Sequence, residues 1–238
     1  MTQSVNQNSG FSITQYTGGS TAEDQVHKFP HNLGGAPNFV IVKATDTAGN
    51  WAVWNAAMDN NSGNQKNVYL NENWSEEPAS HGFIDVPDST DIILNSGSLD
   101  DTNYGKIVSR SGTVYVCYAW KAVAGVSAFG TYEGNGDGSS GIQTVEYADG
   151  NEFEASFIMI KNIDEAANWQ IYDKARGFGG SITGHNTPND GKTLWTDDDA
   201  AENTDYPVIE ILSNGFKQNN SYTSNNITGK TYIYVAFA

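Results

Sequence analysis

The sequence predicts an all-β protein made of two tandem antiparallel β-sandwich-like repeats with little helix. The first observation is a duplication: residues 39–54, FVIVKATDTAGNWAVW, return without a gap as residues 157–172, FIMIKNIDEAANWQIY, which begin 157 − 39 = 118 residues later. The second is that the apolar runs are short and are separated by turns rich in Gly, Asn and Asp. The third is that no segment repeats apolar residues at i, i+3, i+4 and i+7, the spacing of an amphipathic helix.

The duplication divides the chain of 238 residues into two units of ordinary domain size. We expect a polar N-terminal tail at residues 1–9, a first repeat at residues 10–122 and a second repeat at residues 123–238. The tail is assigned because its Gln, Asn and Ser residues show no apolar periodicity.

The first and last strands of each repeat are indicated by their apolar patterns. Residues 10–16 and residues 127–132 are short runs that each lead into a turn containing Gly, as a strand at the start of a repeat would. Each repeat closes on a strongly β-prone run, at residues 112–120 in the first and residues 229–237 in the second.

Between these strands lies the duplicated stretch, which predicts a β-hairpin in each repeat. In the first copy, residues 39–43 form an apolar run of buried-strand length, residues 45–50 carry turn residues, and residues 51–54 form the returning strand. Exchanges such as Val40/Ile158, Val53/Ile171 and Trp54/Tyr172 replace one β-branched or aromatic residue by another, which preserves burial. We therefore expect the recurring aromatic residues to form the sandwich cores rather than a ligand platform: Phe39, Trp51, Trp54, Phe157, Trp169 and Tyr172.

Two other tryptophans, Trp74 and Trp195, lie in the polar middles of the repeats, where the two copies show little likeness. These middles, residues 59–91 and residues 174–205, are predicted to hold the longest loops, and loops on a rigid scaffold are common carriers of specificity. An exposed indole ring there could stack on the apolar face of a sugar or on a partner protein. The alternative is that each ring packs its loop onto the sandwich, since large rings are seldom left exposed.

The charge balance argues against polyanionic partners. The chain has 28 acidic and 12 basic residues, which give a formal net charge of −16. Nucleic-acid binding relies on basic side chains that displace counterions from phosphates, and no Lys/Arg cluster is present in the sequence. We therefore expect no nucleic-acid partner and no binding to anionic membranes.

The single cysteine and the hydropathy pattern bear on the compartment. Cys117 lies within an apolar strand, which predicts a buried thiol and no internal disulfide. The sequence has neither the charged start and apolar run of a signal peptide nor a run of about 18 apolar residues. We expect synthesis as a soluble protein in a cytoplasm, without membrane insertion.

The sequence matches to cofactor and metal motifs lack the neighbouring residues that these motifs require. The G-x-G-x-x-G match at residues 136–141 is followed by a strand-like pattern instead of the helix that dinucleotide binding requires. Residues 133–138 resemble the start of a calcium loop, but Thr144 stands at the twelfth position in place of Glu, which favours a plain turn. We expect no cofactor and no metal site, and we interpret the acidic runs at residues 100–101 and 197–199 as solvated loop tips.

Catalytic motifs are also missing from the sequence. The four histidines, His27, His31, His81 and His185, form no H-E-x-x-H pair, and there is no G-x-S-x-G nucleophile elbow. A glycosidase needs only two carboxylates that flank a sugar bond, and 28 acidic residues neither support nor exclude such a pair. We therefore expect that the protein is not an enzyme.

The joint pattern of the two repeats resembles a tandem β domain of bacteriophage virion proteins, found in tail fibres and related particle-surface proteins, marine phages included. The most specific part is H-x-L-G-x-x-P-x-F-V-I-V-K at residues 31–43, followed by Asn50 and Trp51. The second repeat departs from the pattern, because residues 152–156 replace the H-x-L-G-x-x-P turn.

This resemblance implies a non-enzymatic structural or adhesive protein on the virion surface, made in the host cytoplasm. It leaves two roles open, a tail-fibre component that binds a host surface glycan or protein and a capsid decoration protein held by its N-terminal tail. The implied partners are other capsid or tail proteins, with a symmetric multimer on the particle. The alternatives are a free carbohydrate-binding module and a glycan-degrading enzyme.

Overall fold

The chain forms two compact units. Unit 1 comprises Met1–Asn71 and Glu76–Val123, and unit 2 comprises Glu72–Ser75 and Ala124–Ala238. The computed structural model describes residues 1–19, 25–58, 65–78, 82–96, 108–136, 143–176, 192–204, 209–218 and 220–238. The sequence interpretations made for His81, His185, residues 100–101 and most of residues 136–141 fall outside these ranges.

Unit 1 consists of antiparallel strands in two sheets. The larger sheet has seven strands in the order β1-β2-β9-β4-β5-β6-β7, and the smaller sheet pairs β3 with β8. The strands are β1 (Thr2–Asn6), β2 (Phe11–Thr17), β3 (Gln25–Pro30), β4 (Phe39–Ala44), β5 (Ala52–Asn55), β6 (Lys66–Tyr69), β7 (Glu77–Pro78), β8 (Asp91–Ser96) and β9 (Val114–Trp120).

Unit 2 repeats this plan with a four-stranded sheet in the order β10-β16-β12-β13 and a three-stranded sheet in the order β11-β15-β14. Within the described ranges, helix is confined to the 3-10 turns Ala148–Gly150 and Lys174–Arg176. The strands are β10 (Ser127–Glu133), β11 (Gln143–Glu146), β12 (Phe157–Asn162), β13 (Gln170–Asp173), β14 (Ile209–Leu212), β15 (Gly215–Gln218) and β16 (Thr231–Phe237).

In each unit the two sheets enclose one hydrophobic core. In unit 1 the inward side chains of β4, among them Val40 and Val42, meet Ile92 and Leu94 of β8. The core of unit 2 has the same layout and is rich in tyrosine. It includes Tyr132, Tyr147, Tyr172, Tyr232 and Tyr234. The predicted all-β class and the β-sandwich character are therefore confirmed.

The duplicated stretch forms the predicted hairpin in both units, as β4-β5 and β12-β13. Val40 pairs with Trp54 across the first hairpin, and Ile158 pairs with Tyr172 across the second. These pairs point inward, so the residues next to them in sequence point to the opposite face of the sheet.

This alternation changes the placement expected for the recurring aromatic residues. Trp54 and Tyr172 belong to the sandwich cores, as predicted. The other four lie outside those core clusters, at positions that alternate with inward-facing neighbours: Phe39 and Trp169 are buried there, whereas Trp51 and Phe157 are half-buried. The apolar run of the sequence did not show which face each ring would take.

The N-terminal residues 1–9, expected to be a polar tail, contain a strand of the larger sheet. Strand β1 pairs antiparallel with β2, and Gln3 Nε2 donates hydrogen bonds to Thr14 Oγ1 at 2.8 Å and to Pro30 O at 2.7 Å. An edge strand is held by backbone pairing and does not need apolar side chains, so the polar composition concealed it.

Candidate functional site

The aspartate that recurs in the duplicated stretch, as Asp46 and Asp164, has a structural role. Asp46 Oδ2 accepts a hydrogen bond from the backbone N–H of Val114 at 3.0 Å. Asp164 Oδ2 accepts one from the backbone N–H of Thr231 at 2.7 Å. In both units the carboxylate ties the closing strand, β9 or β16, to the hairpin turn, so the recurrence of this residue is explained by strand pairing.

The recurring Asn-Trp pair holds the base of the variable segment in unit 1. The backbone N–H of Trp51 donates to Asn71 Oδ1 at 2.8 Å, and Asn71 Nδ2 donates to Asn50 Oδ1 at 3.0 Å. We call this arrangement the clamp of unit 1. It fixes the chain where it leaves β6.

Unit 2 has a clamp at the matching place. The backbone N–H of Trp169 donates to Asp197 Oδ1 at 3.2 Å, and Asn168 Nδ2 donates to Asp198 Oδ2 at 3.3 Å. Here a carboxyl group takes the place of the amide of unit 1. The clamp fixes residues 192–204, the described part of the second variable segment.

Both tryptophans singled out in the sequence lie beside residues 161–169 of unit 2, which comprise the end of β12 and the turn that leads to β13 and which we call the hairpin turn. The carbonyl oxygen of Asn73 accepts a hydrogen bond from the backbone N–H of Ala167 at 2.8 Å, so Trp74 follows a residue bound to this turn. Trp195 precedes the clamp residue Asp197 by two positions. Trp74 is 37% exposed, and Trp195 is partly exposed.

A buried lysine braces this turn. Lys161 is fully buried, and its Nζ donates to Asn162 O at 2.6 Å and to Asn73 O at 3.4 Å. Loss of water lowers the pKa of Lys161 to about 8, against the attraction of Asp197. Desolvation likewise raises the pKa of Asp197 to about 6.

The matching lysine of unit 1 is in a different setting. Lys43 is partly exposed, its Nζ donates to Ala44 O at 2.8 Å, and it lies 6.0 Å from the centroid of the Trp51 ring. The two copies of this lysine thus share a sequence position and a backbone acceptor but not a degree of burial.

A second repeated feature, which we call the tyrosine latch, was missed in the sequence. In unit 1 the Tyr16 hydroxyl donates to Val108 O, and the Tyr16 ring stacks on Tyr115 with centroids 5.2 Å apart. The backbone N–H of Arg110 donates to the Tyr115 hydroxyl at 3.0 Å. The latch secures the segment that leads into β9.

Unit 2 repeats the latch with different residues in the secured segment. The Tyr132 hydroxyl donates to Asn225 O at 2.6 Å, and the Tyr132 ring stacks on Tyr232 with centroids 5.0 Å apart. The backbone N–H of Ile227 donates to the Tyr232 hydroxyl at 2.8 Å. The signal in the sequence was the recurrence of the tyrosines at matching strand positions.

One Ser-His pair occurs at the latch of unit 1. His27 Nδ1 lies 2.6 Å from Ser109 Oγ, a distance typical of a nucleophile and its base. Ser109 is fully buried, and its hydroxyl also accepts the backbone N–H of Gly19 at 3.2 Å. In unit 2 the matching residue Asn226 accepts the backbone N–H of Asn135 at 3.1 Å, so this position serves structure in both units.

The histidine of the H-x-L-G-x-x-P turn is also structural. His31 is fully buried, its Nδ1 accepts the backbone N–H of Leu33 at 3.2 Å, and its Nε2 lies 3.1 Å from Asp88 O. An accepting Nδ1 requires the proton on Nε2, which then donates to Asp88 O. Burial lowers the pKa of His31, which favours this neutral form.

Among the described residues, no group of three or more His, Cys, Asp or Glu side chains could hold a metal ion. Across the same part of the chain, no helix has the length and apolar character needed to cross a membrane.

The sequence model of a family described as a domain of unknown function, DUF7483, matches residues 1–238. The chain belongs to this family. Neither the curated proteins nor the solved structures gave a match. The family description names no activity.

Proposed function

We propose that the chain is a non-enzymatic structural protein displayed on the surface of a bacteriophage particle, where it takes part in attachment to the host. The proposal draws on the resemblance of residues 31–43 and the following Asn50-Trp51 to tandem β domains of virion proteins. Location on the virion surface and contact with other capsid or tail proteins are parts of the same proposal.

One observation supports a binding role. The residues shared by the two repeats build the scaffold, and the residues that differ between the repeats lie on segments that the scaffold holds in place. The recurring Asp, Asn-Trp and Tyr residues are engaged in strand ties, clamps and latches. The variable segments carry Trp74 and Trp195 next to clamped positions. A rigid sandwich that presents variable loops is the usual architecture of a recognition protein.

Host attachment is preferred to capsid decoration because of the N-terminal residues. A decoration protein held by a free tail needs residues 1–9 to be available for the capsid. Strand β1 instead pairs with β2 along Thr2–Asn6, so most of this segment already has a partner within unit 1. Capsid decoration through another surface is the second role that the experiment below distinguishes.

The experiment is to locate the chain in intact particles of a phage that encodes it. Purified particles are labelled with antibodies against the chain and imaged by electron microscopy. Label at the distal end of the tail is the expected result, and label over the capsid symmetry axes indicates decoration. Particles that do not carry the chain would exclude a virion role, and a free carbohydrate-binding module would then be the leading alternative.

The non-enzymatic part is tested separately. Purified protein is incubated at high concentration with host envelope polysaccharide, and reducing ends are measured. We expect no release above the buffer control. Release that is lost on mutation of a carboxylate would show a glycan-degrading enzyme and would overturn this part of the proposal.

A further inference from the structure

We propose that the hairpin turn at residues 161–169 of unit 2, with Trp74 and Trp195 beside it, is a binding site for a neutral saccharide. This inference rests on the proposed attachment function and names the ligand class for it. The ligand would contact the apolar faces of indole rings and offer hydroxyl groups to the polar side chains of the turn.

The turn anchors the two segments that carry Trp74 and Trp195, which are far apart in sequence. Asn73 is bound to Ala167, and Asp197 is bound to Trp169. The two anchor points on the hairpin are two residues apart, which is about 7 Å along an extended chain. The backbone next to Trp74 and the backbone next to Trp195 are therefore held near each other, within reach of one oligosaccharide.

Both segments are fixed before any ligand arrives. Lys161 Nζ donates to Asn73 O at 3.4 Å, which adds a second bond to that of Ala167. On the other side, the backbone groups of Thr193 and Asn203 exchange hydrogen bonds of 3.0 Å, so residues 192–204 fold back on themselves. A preorganised site loses less entropy on binding, which matters for weak saccharide ligands.

Charge selects a neutral ligand. Asp198 and Asp199 are exposed at the turn, and they add to a chain with a formal net charge of −16. Among the described residues, the cations close by are already engaged. Lys161 is buried, Lys230 is paired with Glu165 of the turn at 2.5 Å, and Arg176 and Lys192 are paired with Glu202 at 3.2 Å and 3.5 Å. A uronic or sialic acid would meet repulsion here, whereas neutral hydroxyls can donate to the carboxylates.

The test is isothermal titration of the full chain with soluble oligosaccharides of glucose, mannose and N-acetylglucosamine, with oligogalacturonate as the anionic comparison. We expect at least one neutral series to bind and Trp74→Ala and Trp195→Ala each to weaken binding by about tenfold or more. Trp195→Tyr keeps a flat ring and should retain most of the affinity. Val86→Ala, at an exposed apolar residue of unit 1, is the matched control and should bind as the parent protein does.

Salt dependence gives an independent readout. Binding of a neutral ligand should change less than twofold between about 0.05 M and about 0.5 M NaCl, whereas an ion-paired ligand would weaken strongly. No binding by any neutral series, tighter binding of oligogalacturonate, or unchanged affinity in both alanine variants would overturn the inference. The location of the chain in the virion is measured in a separate experiment. The proposed virion function can therefore be confirmed even if no saccharide binds.

Discussion

The clamp of unit 1 joins Trp51 to Asn71, a neutral amide, whereas the clamp of unit 2 joins Trp169 to Asp197, a carboxyl group. Both side chains supply an acceptor oxygen, and the backbone N–H of the tryptophan needs nothing more. The lysine beside the clamp is fully buried in unit 2 and partly exposed in unit 1. A nearby carboxylate stabilises the protonated form of a buried lysine. The carboxyl group in the clamp and the burial of the lysine therefore occur in the same unit.

The largest expected difference between the units concerns their matched tryptophans. Trp169→Ala should lower the free energy of unfolding by about 3–5 kcal/mol, because it removes a fully buried ring. Trp51→Ala should cost about 1–2 kcal/mol, because that side chain is only partly buried. Urea unfolding followed by circular dichroism measures both. Equal losses would show that the two rings are equally buried.

The next prediction tests whether Lys161 and Asp197 depend on each other. Lys161→Met and Asp197→Asn each remove a charge whose burial is itself unfavourable, and each leaves the other charge with less compensation, so neither should cost more than about 2 kcal/mol near neutral pH. The double variant should cost clearly less than the sum of the two. In unit 1 the lysine is partly exposed and Asn71 is neutral, so Lys43→Met combined with Asn71→Ala should be additive. Additivity in unit 2 would mean that the pair is not coupled.

The tyrosine latch should behave alike in the two units. Tyr16→Phe and Tyr132→Phe each remove a buried hydroxyl that donates to a backbone carbonyl, on Val108 or Asn225. The expected loss is about 1–2 kcal/mol in either case, since a buried acceptor is left unsatisfied. Thermal unfolding of both variants checks this. A loss confined to one variant would contradict the equivalence of the two latches.

The smallest expected effect is a pH dependence that only the clamp of unit 2 has. The pKa of Asp197 is raised from 3.8 to about 6, so its contribution to stability is full below pH 3.8 and is lost as pH rises through 6. The pKa of Lys161 is lowered from 10.5 to about 8, so its contribution is recovered as pH rises from 8 to 10.5. Together they place a minimum between pH 6 and pH 8. Its depth should be about 1 kcal/mol, because Asp197 keeps some solvent.

Urea midpoints measured across this pH range test the prediction. Asp197→Asn should remove the acid side of the minimum, and Asn71→Asp should introduce a similar slope into unit 1. A parent protein whose midpoint is flat between pH 4 and pH 8 would refute the assignment, because the pKa of Asp197 could not then be about 6 in the folded state.

The sequence was sufficient for features that depend on periodicity. The hairpins, the closing strands and the division into repeats follow from apolar alternation and from the duplication, and the structure contains those strands. Strand β1 was not predictable in this way, because its polar residues are held to β2 by backbone pairing and by side-chain hydrogen bonds of Gln3, without an apolar pattern. The clamps were not predictable either, since the backbone N–H groups of Trp51 and Trp169 bind side chains that lie 20 and 28 positions further along the chain.

The outward placement of Trp51 shows a different limit. Residues 51–54 are all apolar. An unbroken apolar run does not indicate which face of a sheet each side chain points to. The same limit applies to Trp74 and Trp195. Their sequence positions gave a reason to notice them, but their arrangement beside one turn depends on hydrogen bonds from Ala167 and Trp169.

The single cysteine provides a way to follow one unit independently of the other. Cys117 is buried in the core of unit 1, and burial raises the pKa of its thiol, so the reactive thiolate is scarce in the folded state. A thiol-specific reagent should therefore label the chain at the rate at which unit 1 opens. Every substitution in unit 2 can then be sorted by whether it speeds up that labelling or leaves it unchanged.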